Sequence, residues 1–446
     1  MKIEQIYTGC LAEAAYYVES NGEVAIIDPL REVSSYLKRA EKADAKIKYI
    51  FETHFHADFV SGHLDLSAQS GAPIVYGPTA QTSFPAHIAT DGEVFKLGAL
   101  TITVLHTPGH TNESVTYLLK DEAGKPYCIF TGDTLFIGDC GRPDLRETAG
   151  NITATREDLA KQMYHSLRKK LSVLDDAVLV YPAHGAGTLC GKALSEANCS
   201  TIGAEKLSNW SLSEMHENQF VKALLEDQPF VPKYFAYDVD LNKKGAPNLA
   251  ESVAKIEIKP TGDTSFINPK TVIIDTRPAE VFKNGYLPNS INLLTSGKLE
   301  TWLGSIIAPG TPFYLVGGNA EQLTGLIERI AKIGYEVFIA AAFVLENGSL
   351  KADLLDLADF KTHPENYQIV DIRNPSEVKQ QPGFEHSLHI SLPELMDRAT
   401  EIPTAKPVVV HCAGGYRSAA GSSIIKNLLP ETRKVYDLST AVTQFL

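Results

Sequence analysis

Two short stretches of this 446-residue chain carry residue types that bind metals or activate sulfur. Residues 53–58 read Thr-His-Phe-His-Ala-Asp, and closely spaced imidazoles with a carboxylate are typical of a metal site. Residues 412–418 read Cys-Ala-Gly-Gly-Tyr-Arg-Ser, in which a cysteine precedes a glycine-rich turn and an arginine. A metal centre and a nucleophilic thiol on one polypeptide predict two linked reactions on sulfur or oxygen species.

Three further segments place a histidine or an aspartate after the first motif. They are residues 107–111 (Thr-Pro-Gly-His-Thr), 131–134 (Thr-Gly-Asp-Thr) and 181–185 (Tyr-Pro-Ala-His-Gly). Together with residues 53–58, this order resembles the metallo-β-lactamase fold over about the first 230 residues. The resemblance implies an α/β chain that begins with an αββα sandwich and holds metal in its loops.

The residue after Asp58 departs from that pattern. Members of the fold that hydrolyse esters or lactams with two metals carry a histidine there, whereas this chain has Phe59, which cannot ligate a metal. The second position then keeps Asp58, His184 and a shared Asp133, so we predict a single-metal site. His63 lies close enough in sequence to be a substitute ligand, but we expect it to cap or line the following helix.

A single-metal site with these donors suits iron. Two histidines and one carboxylate, here His54, His110 and Asp133, form the facial arrangement typical of oxygen-activating Fe(II). Zinc fits the same donors and is not excluded, because selection between the two metals depends on geometry and supply.

Single-iron members of this fold include the persulfide dioxygenases, which this part of the chain resembles. The matching segments are residues 52–58, 106–111 and 138–144. The resemblance implies one Fe(II) per chain on His54, His110 and Asp133, and oxidation of a persulfide sulfur by dioxygen to sulfite with release of the thiol. It also implies that three neighbouring groups orient these ligands or handle protons, namely His56, Asp58 and His184.

Arg142 and Cys190 are the remaining candidates in this region. Arg142 is predicted to meet an anionic group of the substrate, with an ordinary salt bridge beneath the site as the alternative. Cys190 lies shortly after His184 and is a candidate sulfur relay near the metal. Packing is the alternative for Cys190, Cys140 and Cys199, because free cysteine is among the most buried residue types.

The C-terminal motif places a thiol where a strand gives way to a helix. Cys412 follows the apolar run 408–411 and precedes a helix-like segment, whose backbone N–H groups and dipole favour the thiolate. Gly414 and Gly415 let the loop curl around the sulfur. His411 precedes the cysteine, and we assign it no role because neighbours on a strand point to opposite faces.

This motif, with Asp371-x-Arg373 upstream, resembles the rhodanese sulfurtransferases. Related cysteine-dependent phosphatases need five residues between cysteine and arginine to cradle phosphate, whereas the shorter loop from Cys412 to Arg417 suits a smaller sulfane sulfur. The resemblance implies that Cys412 accepts that sulfur as a persulfide and passes it to sulfite or another thiol. Arg417 would shape the anion pocket.

Strands alternating with turns and a few helices must position the metal motifs up to about residue 230. The strand candidates are residues 24–27, 48–51, 100–105, 127–130 and 177–180. Each of the last four precedes a loop with a motif histidine or aspartate, and such loops are where sites are usually built. Apolar residues at four-residue spacing predict a helix over about 155–171 with one buried face.

After residue 230 the chain repeats itself. Residues 274–280 (Ile-Asp-Thr-Arg-Pro-Ala-Glu) are echoed by residues 370–377 (Val-Asp-Ile-Arg-Asn-Pro-Ser-Glu), which indicates a duplicated module. In each copy a strand ends in Asp-x-Arg and a second strand follows, at 312–316 or 407–411, as in a small parallel α/β domain. The first copy has no cysteine at the corresponding loop, so we expect it to be a spacer or docking surface.

These patterns predict three domains, with boundaries near residues 231–233 and 359–362. They are a metallo-β-lactamase-type domain at 1–235, a cysteine-less rhodanese-like domain at 250–350 and a cysteine-bearing one at 355–446.

Composition limits the partners. A net charge of −13 disfavours nucleic acid, and the one dense basic cluster, residues 168–170, sits at a predicted helix end. The polar N-terminus and the absence of a membrane-spanning apolar run predict a cytoplasmic protein without a membrane partner. Six scattered cysteines predict reduced thiols rather than a disulfide framework.

The order of parts resembles the fused persulfide dioxygenase sulfurtransferases of bacterial sulfide detoxification. The partners so implied are a small-molecule persulfide, dioxygen, and sulfite or thiosulfate, with either direction of sulfur transfer allowed and a homo-oligomer, a dimer or tetramer, expected. Two other classes compete with this reading. One is a zinc hydrolase of thioesters, similar to glyoxalase II, and the other is a non-catalytic sulfur carrier or persulfide sensor.

Overall fold

The computed structural model describes residues 1–143, 155–192, 194–430 and 432–445. These residues form two compact units, one of residues 1–249 with 332–334 and one of residues 250–331 with 335–446. Both units combine strands and helices, so the predicted α/β class is confirmed. Among the described residues, no helix has the length and apolar character needed to cross a membrane.

Two six-stranded sheets form the first unit, and each keeps its strands in chain order. The strands of the first sheet are β1 Lys2–Thr8, β2 Glu13–Ser20, β3 Glu23–Ile27, β4 Lys46–Phe51, β5 Ile74–Tyr76 and β6 His87–Ile88. The strands of the second sheet are β7 Val94–Leu97, β8 Leu100–His106, β9 Val115–Lys120, β10 Pro126–Gly132, β11 Leu179–Pro182 and β12 Ser200–Thr201. The strands predicted at 24–27, 48–51, 100–105, 127–130 and 177–180 correspond to β3, β4, β8, β10 and β11.

The core of this unit follows from the two-residue period of its strands. Along β9, Tyr117 and Leu119 belong to the apolar cluster that also contains Phe51 of the first sheet. Leu118, between them, belongs to a second cluster with the helix residue Met163. Since successive strand side chains point to opposite faces, the second sheet buries one face against the first sheet and the other against helices. This is the predicted αββα layering.

In the described part of residues 1–248 the α-helices are α1 Ser34–Lys42, α2 His63–Ser70, α3 Arg156–Ser166, α4 Ile202–Ser208, α5 Glu217–Leu225 and α6 Phe235–Lys244. Helix α3 begins at a capping box, in which Thr155 and Asp158 bond each other's backbone N–H groups. It continues as a π-helical turn, Leu167–Leu171. The helix predicted over 155–171 is therefore confirmed, and its predicted apolar face is buried.

The second unit contains the duplicated module as two four-stranded parallel sheets. Their strands are β13 Val272–Asp275, β14 Ser290–Asn292, β15 Phe313–Gly317 and β16 Ile339–Val344, then β17 Gln368–Asp371, β18 Leu388–His389, β19 Val408–His411 and β20 Val435–Asp437. The orders β14-β13-β15-β16 and β18-β17-β19-β20 are the same arrangement twice. The strands predicted at 312–316 and 407–411 are β15 and β19.

The helices that begin at or after Leu249 are α7 Leu249–Ala254, α8 Ala279–Asn284, α9 Leu299–Ile306, α10 Ala320–Ala331, α11 Leu357–Thr362, α12 Pro375–Gln380, α13 Leu395–Arg398 and α14 Tyr416–Leu428. The stretch 359–362, predicted as a linker, lies inside α11. Phe360 there is buried and packs in a core cluster with Val409 of β19, so this stretch belongs to the second module itself.

The first unit also continues past the boundary predicted near 231–233. Helix α6 follows that point, and its buried Asn242 is bonded to the loop that carries the first metal motif. With the bond that Asn242 Oδ1 accepts from the backbone N–H of Ser61, three hydrogen bonds to one buried side chain make α6 part of the same packed body. The individual domain boundaries otherwise stay a prediction.

Candidate metal centre and thiol site

The predicted metal-binding side chains lie in loops that follow the ends of four strands. His54 follows β4, His110 follows β8, Asp133 follows β10 and His184 follows β11. Buried apolar strands fix where these loops begin, because their register is set by the core on both faces. The loops thereby carry side chains from distant parts of the chain to one place.

His54, His110 and Asp133 form a buried cluster whose ligand atoms lie within 4.8 Å of one another. Nε2 of His110 lies 3.4 Å from Oδ2 of Asp133, and Nε2 of His54 lies 4.0 Å from the same oxygen. The two imidazole rings meet edge to face with centroids 4.9 Å apart. The structure therefore brings together the three residues predicted to bind the metal.

Hydrogen bonds fix the tautomers of both histidines. Nδ1 of His110 lies 2.7 Å from the backbone oxygen of Arg142, which can only accept, so this nitrogen is the donor. The Thr53 hydroxyl donates to Asp28 at 2.8 Å and therefore accepts from Nδ1 of His54 at 2.9 Å. In both rings the lone pair is left on Nε2, the atom that faces Asp133.

The cluster fits a metal ion on a further observation. Both carboxylate oxygens of Asp133 are buried without a hydrogen-bond partner among the described residues. A buried carboxylate without partners is costly unless a cation compensates it. Two neutral imidazole nitrogens and this carboxylate are the donor set of a divalent metal. The residues present therefore fit the metal that was predicted from their order.

A second buried cluster contains Asp58, His184 and Cys190, whose ligand atoms also lie within 4.8 Å of one another. Nε2 of His184 lies 3.4 Å from Oδ2 of Asp58 and 3.5 Å from Oδ1 of Asp133. Burial, and then the charges of Asp58 and Asp133, raise the pKa of the Cys190 thiol well above its ordinary value. Cys190 thus lies beside Asp133, near the site as the relay hypothesis requires; its role stays a prediction.

His56 belongs to a third cluster, with Asp28 and Glu52. Its Nε2 lies 3.1 Å from Oδ1 of Asp28 and 3.5 Å from Oε2 of Glu52, and its ring stacks on Phe59 at 4.2 Å. Burial lowers the pKa of His56, but the two carboxylates outweigh it and raise that pKa well above its usual range. His56 thus lies among carboxylates rather than in the cluster around Asp133.

His63 begins helix α2, and its Nδ1 lies 3.1 Å from Oε1 of Glu52. It therefore lines the start of that helix, as expected. It belongs neither to the cluster of His54, His110 and Asp133 nor to the cluster of Asp58, His184 and Cys190.

Sequence reasoning gave no role to Asp28, Glu52 or Asn242, although Glu52 belongs to the matching segment 52–58. Asp28 accepts from the backbone and hydroxyl of Thr53 at 2.7 and 2.8 Å. Asn242 donates to the backbone oxygens of His56 and Phe59, at 2.8 Å each. Asp28 directly follows strand β3, which is the signal that found the other site residues, whereas nothing local in the sequence marks Asn242.

Arg142 is 1% exposed, and its guanidinium donates to the backbone oxygens of Leu189 and Phe230. Its own backbone oxygen orients His110, and its backbone N–H donates to the oxygen of Cys190 at 3.0 Å. Arg142 thus contacts one residue of each of two buried clusters, His110 of the first and Cys190 of the second. The substrate contact predicted for Arg142 stays a prediction, and Asp144, the last residue of its motif, lies outside the described residues.

The thiol site is built at the end of strand β19. The sulfur of Cys412 accepts a hydrogen bond from the backbone N–H of Gly415 at 3.2 Å, immediately before helix α14. Gly415 has φ +91°, and an added Cβ would lie 2.6 Å from backbone atoms of Ser439 and Thr440. Only glycine fits there. Gly414, by contrast, faces open space.

Arg417 is held by an acidic residue that the sequence did not single out. Its two terminal nitrogens donate to the carboxylate of Glu377, at 2.5 and 2.6 Å. Burial lowers the pKa of Arg417, but Glu377 and then Cys412 raise it above its usual range. The guanidinium also lies 5.5 Å from the ring centroid of Trp302, which comes from the cysteine-less copy. Arg417 is thus paired with a carboxylate and lies against an indole ring.

The two Asp-x-Arg motifs are buried ion pairs with the same geometry. Arg373 donates through Nε and Nη2 to Asp371, at distances down to 2.6 Å, and Arg277 does so to Asp275. Nε2 of His411 lies 3.7 Å from Oδ2 of Asp371. The imidazole of His411 is thus turned toward the ion pair of Asp371 and Arg373.

Sequence profiles relate both parts of the chain to known families. The profile of the Metallo-beta-lactamase superfamily matches residues 8–184, and that of the Rhodanese-like domain matches residues 356–446. A metallo-beta-lactamase from Staphylococcus aureus subsp. aureus COL has a crystal structure that is 32% identical, covers 77% of this chain and 99% of its own, and superposes with a TM-score of 0.70. The predicted fold class, with a rhodanese-like domain at the C-terminal end, is confirmed.

The related proteins are named as two kinds of enzyme. The chain is 33% identical over 189 residues to a cytoplasmic hydroxyacylglutathione hydrolase of Arabidopsis thaliana, which covers 41% of this chain and 67% of that protein. It is 29% identical over 219 residues to a mitochondrial persulfide dioxygenase of Mus musculus, covering 49% and 76% respectively. The chain spans between 58% and 67% of the length of five hydroxyacylglutathione hydrolases that it matches. Both kinds of relative belong to enzyme families, at similar identity.

Proposed function

Because the chain belongs to the metallo-beta-lactamase superfamily and carries a rhodanese-like domain, we propose that it is a persulfide dioxygenase joined to a sulfurtransferase. The first activity oxidises the sulfane sulfur of a small-molecule persulfide to sulfite. The second moves sulfane sulfur between persulfide, sulfite and thiosulfate. The observation that carries the proposal is the cluster of two imidazole Nε2 atoms and one carboxylate, with a phenylalanine after the motif aspartate.

His54, His110 and Asp133 would hold one Fe(II), which supplies the redox chemistry that joins dioxygen to sulfur. The chain's own residues orient this set. The carbonyl of Arg142 and the hydroxyl of Thr53 accept from Nδ1 of His110 and His54, which leaves the lone pair of each neutral ring on Nε2. Burial of all three ligands keeps bulk water from the donor atoms.

The thiol loop carries out a separate transfer. The Cys412 thiolate attacks the outer sulfur of a persulfide, the donor's S–S bond breaks, and the donor leaves as a thiol after taking up a proton. Sulfite then attacks the sulfane sulfur on Cys412, which releases thiosulfate and restores the thiolate. The N–H of Gly415 stabilises the negative sulfur before and after each step.

A zinc-dependent thioester hydrolase is the second candidate, because five relatives are named as hydroxyacylglutathione hydrolases, two of them as probable ones. Phe59 argues against it, since the ring stacks on His56 where a two-metal hydrolase has a further ligand. Metal content and thioester turnover distinguish the two candidates.

Two substitutions test the proposal in the full chain. His110→Ala should abolish oxygen uptake with persulfide, because it removes one of three ligands and the carboxylate is left without its metal. Cys412→Ser should leave oxygen uptake unchanged and abolish thiosulfate formation. Oxygen is measured with an electrode, and sulfite and thiosulfate are measured by chromatography.

His87→Ala is the matched control, because the side chain of His87 is 47% exposed and pairs with Glu93 on the surface. It should change neither activity. Oxygen uptake that survives in His110→Ala, or thiosulfate formation that survives in Cys412→Ser, would contradict the assignment.

A further inference from the structure

A cavity lies between the two copies of the duplicated module, within the second unit, and the proposed reactions do not use it. The cysteine-less copy lines it with residues of α8 and β14, and the cysteine-bearing copy lines it with residues of α14 and β20. The α14 residues are 419, 422, 423 and 426, a spacing that places them on one face of the helix. The cavity encloses about 440 Å³, including its opening to solvent, which is within the range of small-molecule sites.

Two hydrogen-bond acceptors in this cavity lack a donor. Asn292 is 1% exposed, and its amide nitrogen donates to the backbone oxygens of Asp275 and Arg277 at 3.0 and 2.9 Å. These bonds fix the orientation of the amide, and its Oδ1 is buried without a hydrogen-bond partner among the described residues. Oδ2 of Asp437 is also buried without one, because Nζ of Lys283 lies 3.1 Å away but is not aligned for a hydrogen bond. Bare buried acceptors are costly, so this part of the cavity favours a ligand that donates.

The charges around the cavity balance. Lys283 pairs with Asp437 across the two copies, and Nζ of Lys426 lies 3.3 Å from Oδ2 of Asp353. These two lysines and two aspartates are the charged residues that line the cavity in the described part of the unit. A simple anion would lie against two carboxylates, and a simple cation would lie against two ammonium groups. A ligand that carries both charges keeps every group paired.

One wall of the cavity is apolar. The rings of Phe282 and Tyr286 stack with centroids 4.5 Å apart and an angle of 13° between their planes, and both residues line the cavity with Val435. Such a wall beside a few polar groups is typical of a site that binds a small molecule with an apolar part.

We propose that this cavity binds the zwitterionic head group of an α-amino acid that has an apolar side chain. The ligand's ammonium donates to Oδ1 of Asn292 and to Asp437, and its carboxylate accepts from Lys283 and Lys426. Its side chain packs against the stacked rings. The same head group occurs at the end of a γ-glutamyl peptide. This inference concerns binding alone and stands whether or not the proposed activities are found.

Equilibrium dialysis of the full chain against L-leucine tests the proposal. The comparison probes are 4-methylpentanoate, which lacks the ammonium, and 3-methylbutylamine, which lacks the carboxylate. We expect one leucine per chain and binding of each single-charge probe that is at least about tenfold weaker, because charge-assisted hydrogen bonds are lost. γ-L-Glutamyl-L-leucine distinguishes the two sources of the head group: tighter binding than leucine identifies a γ-glutamyl peptide, and weaker binding identifies a free amino acid.

Two substitutions locate the bound leucine. Lys426→Met keeps the aliphatic chain and removes one ammonium, and Asp437→Asn keeps the Oδ1 that accepts from the N–H of Ser439 at 2.8 Å. Each should weaken leucine binding at least about tenfold. Lys434→Met is the matched control, because Lys434 is exposed and does not line the cavity, and it should leave binding unchanged.

Lys426→Met decides the question if circular dichroism shows that Asp437→Asn impairs folding, because Asp353, the partner of Lys426, is 31% exposed and stays solvated. Leucine binding that is unchanged in Lys426→Met overturns the site. Single-charge probes that bind as tightly as leucine also overturn it, as does the absence of binding by both leucine and γ-L-glutamyl-L-leucine. Binding that is lost in Arg417→Met but kept in Lys426→Met would place leucine at the thiol loop and overturn it too. The probes contain no sulfur, so a failure of the proposed function, measured by oxygen uptake and thiosulfate formation, gives a different result.

Discussion

Glu377 compensates the positive charge of Arg417 in the thiol loop. It holds both terminal nitrogens of Arg417 at 2.5 and 2.6 Å, so the cation is already compensated. Glu377→Gln should free that positive charge and raise kcat/KM for thiosulfate, a dianion, by about threefold to tenfold, because charge-assisted bonds are the stronger kind. Glutamine keeps the capping hydrogen bond to the N–H of Asn374, so helix α12 should remain.

Sulfur transfer from thiosulfate to an added thiol is the measurement. Glu385→Gln, an exposed acidic residue in the same module, serves as the control and should change nothing. An unaltered kcat/KM in Glu377→Gln would show that Arg417 does not limit anion binding.

Asp371 makes the stability of the second unit depend on pH. Burial raises the pKa of Asp371, but the hydrogen bonds from Arg373 outweigh it and hold that pKa below its usual range. The folded state therefore binds this proton less readily than the unfolded state. The stabilisation by ionised Asp371 is fully present above the pKa that this residue has in the unfolded chain, about 4. It is lost as the pH falls through the lower pKa that Asp371 has in the folded state.

Asp371→Asn should lower the stability by about 3 kcal/mol at neutral pH, because it leaves Arg373 buried without its charge partner. The gap between variant and wild type in thermal midpoint should narrow below about pH 4. Asp397→Asn, on the exposed side of α13, should have no such pH-dependent gap. A gap that is constant from pH 7 to pH 3 would contradict the pKa argument.

At the residue scale, the sequence predicted the site residues that lie just after the ends of strands. His54, His110, Asp133 and His184 could be predicted because each comes soon after an apolar run whose end is visible in the sequence. Glu377 and Trp302 could not, since their relation to Cys412 depends on the packing of helices, which no local pattern records. The sequence marked Cys190 as a candidate because it is a cysteine shortly after His184. Only the fold shows that Asp58 and Asp133 are its neighbours.

At the scale of elements, the strand-loop-helix unit from β19 to α14 determines whether the thiol is activated. Gly415→Ala should abolish sulfur transfer, because φ +91° is strained for alanine and its Cβ would contact the backbone of Ser439. Gly414→Ala is the matched control. Its Cβ meets nothing within 4 Å, so sulfur transfer should be kept.

Initial rates of sulfur transfer, with far-ultraviolet circular dichroism as the check on folding, measure both glycine variants. Equal activity of the two variants would contradict the role given to the N–H of Gly415.

Strands and helices were predicted correctly where the spacing of buried apolar residues alone determines the type of element. The strands and the helix over 155–171 were found because their apolar spacing is enforced by a core on one or both faces. The boundary predicted near 231–233 left out of the first domain most of the residues that form helix α6. This helix belongs to the first unit because its Asn242 donates hydrogen bonds to the backbone oxygens of His56 and Phe59, which lie far away in sequence.

At the scale of the whole molecule, the copy without a cysteine contacts the thiol loop of the other copy. Trp302 lies beside Arg417, and Leu294 accepts a hydrogen bond from the hydroxyl of Tyr416 at 2.9 Å. Both residues belong to the cysteine-less copy, so that copy contributes to the surroundings of the thiol loop within the second unit. The sequence predicted a spacer or docking surface and did not show this contact.

The metal content of the active chain tests the central claim most directly. The protein is purified without oxygen, its iron and zinc are quantified per chain, and oxygen uptake is recorded on addition of glutathione persulfide. We predict one iron per chain and oxygen consumption in proportion to that iron. Two zinc ions per chain, thioester hydrolysis and no oxygen uptake would contradict the account.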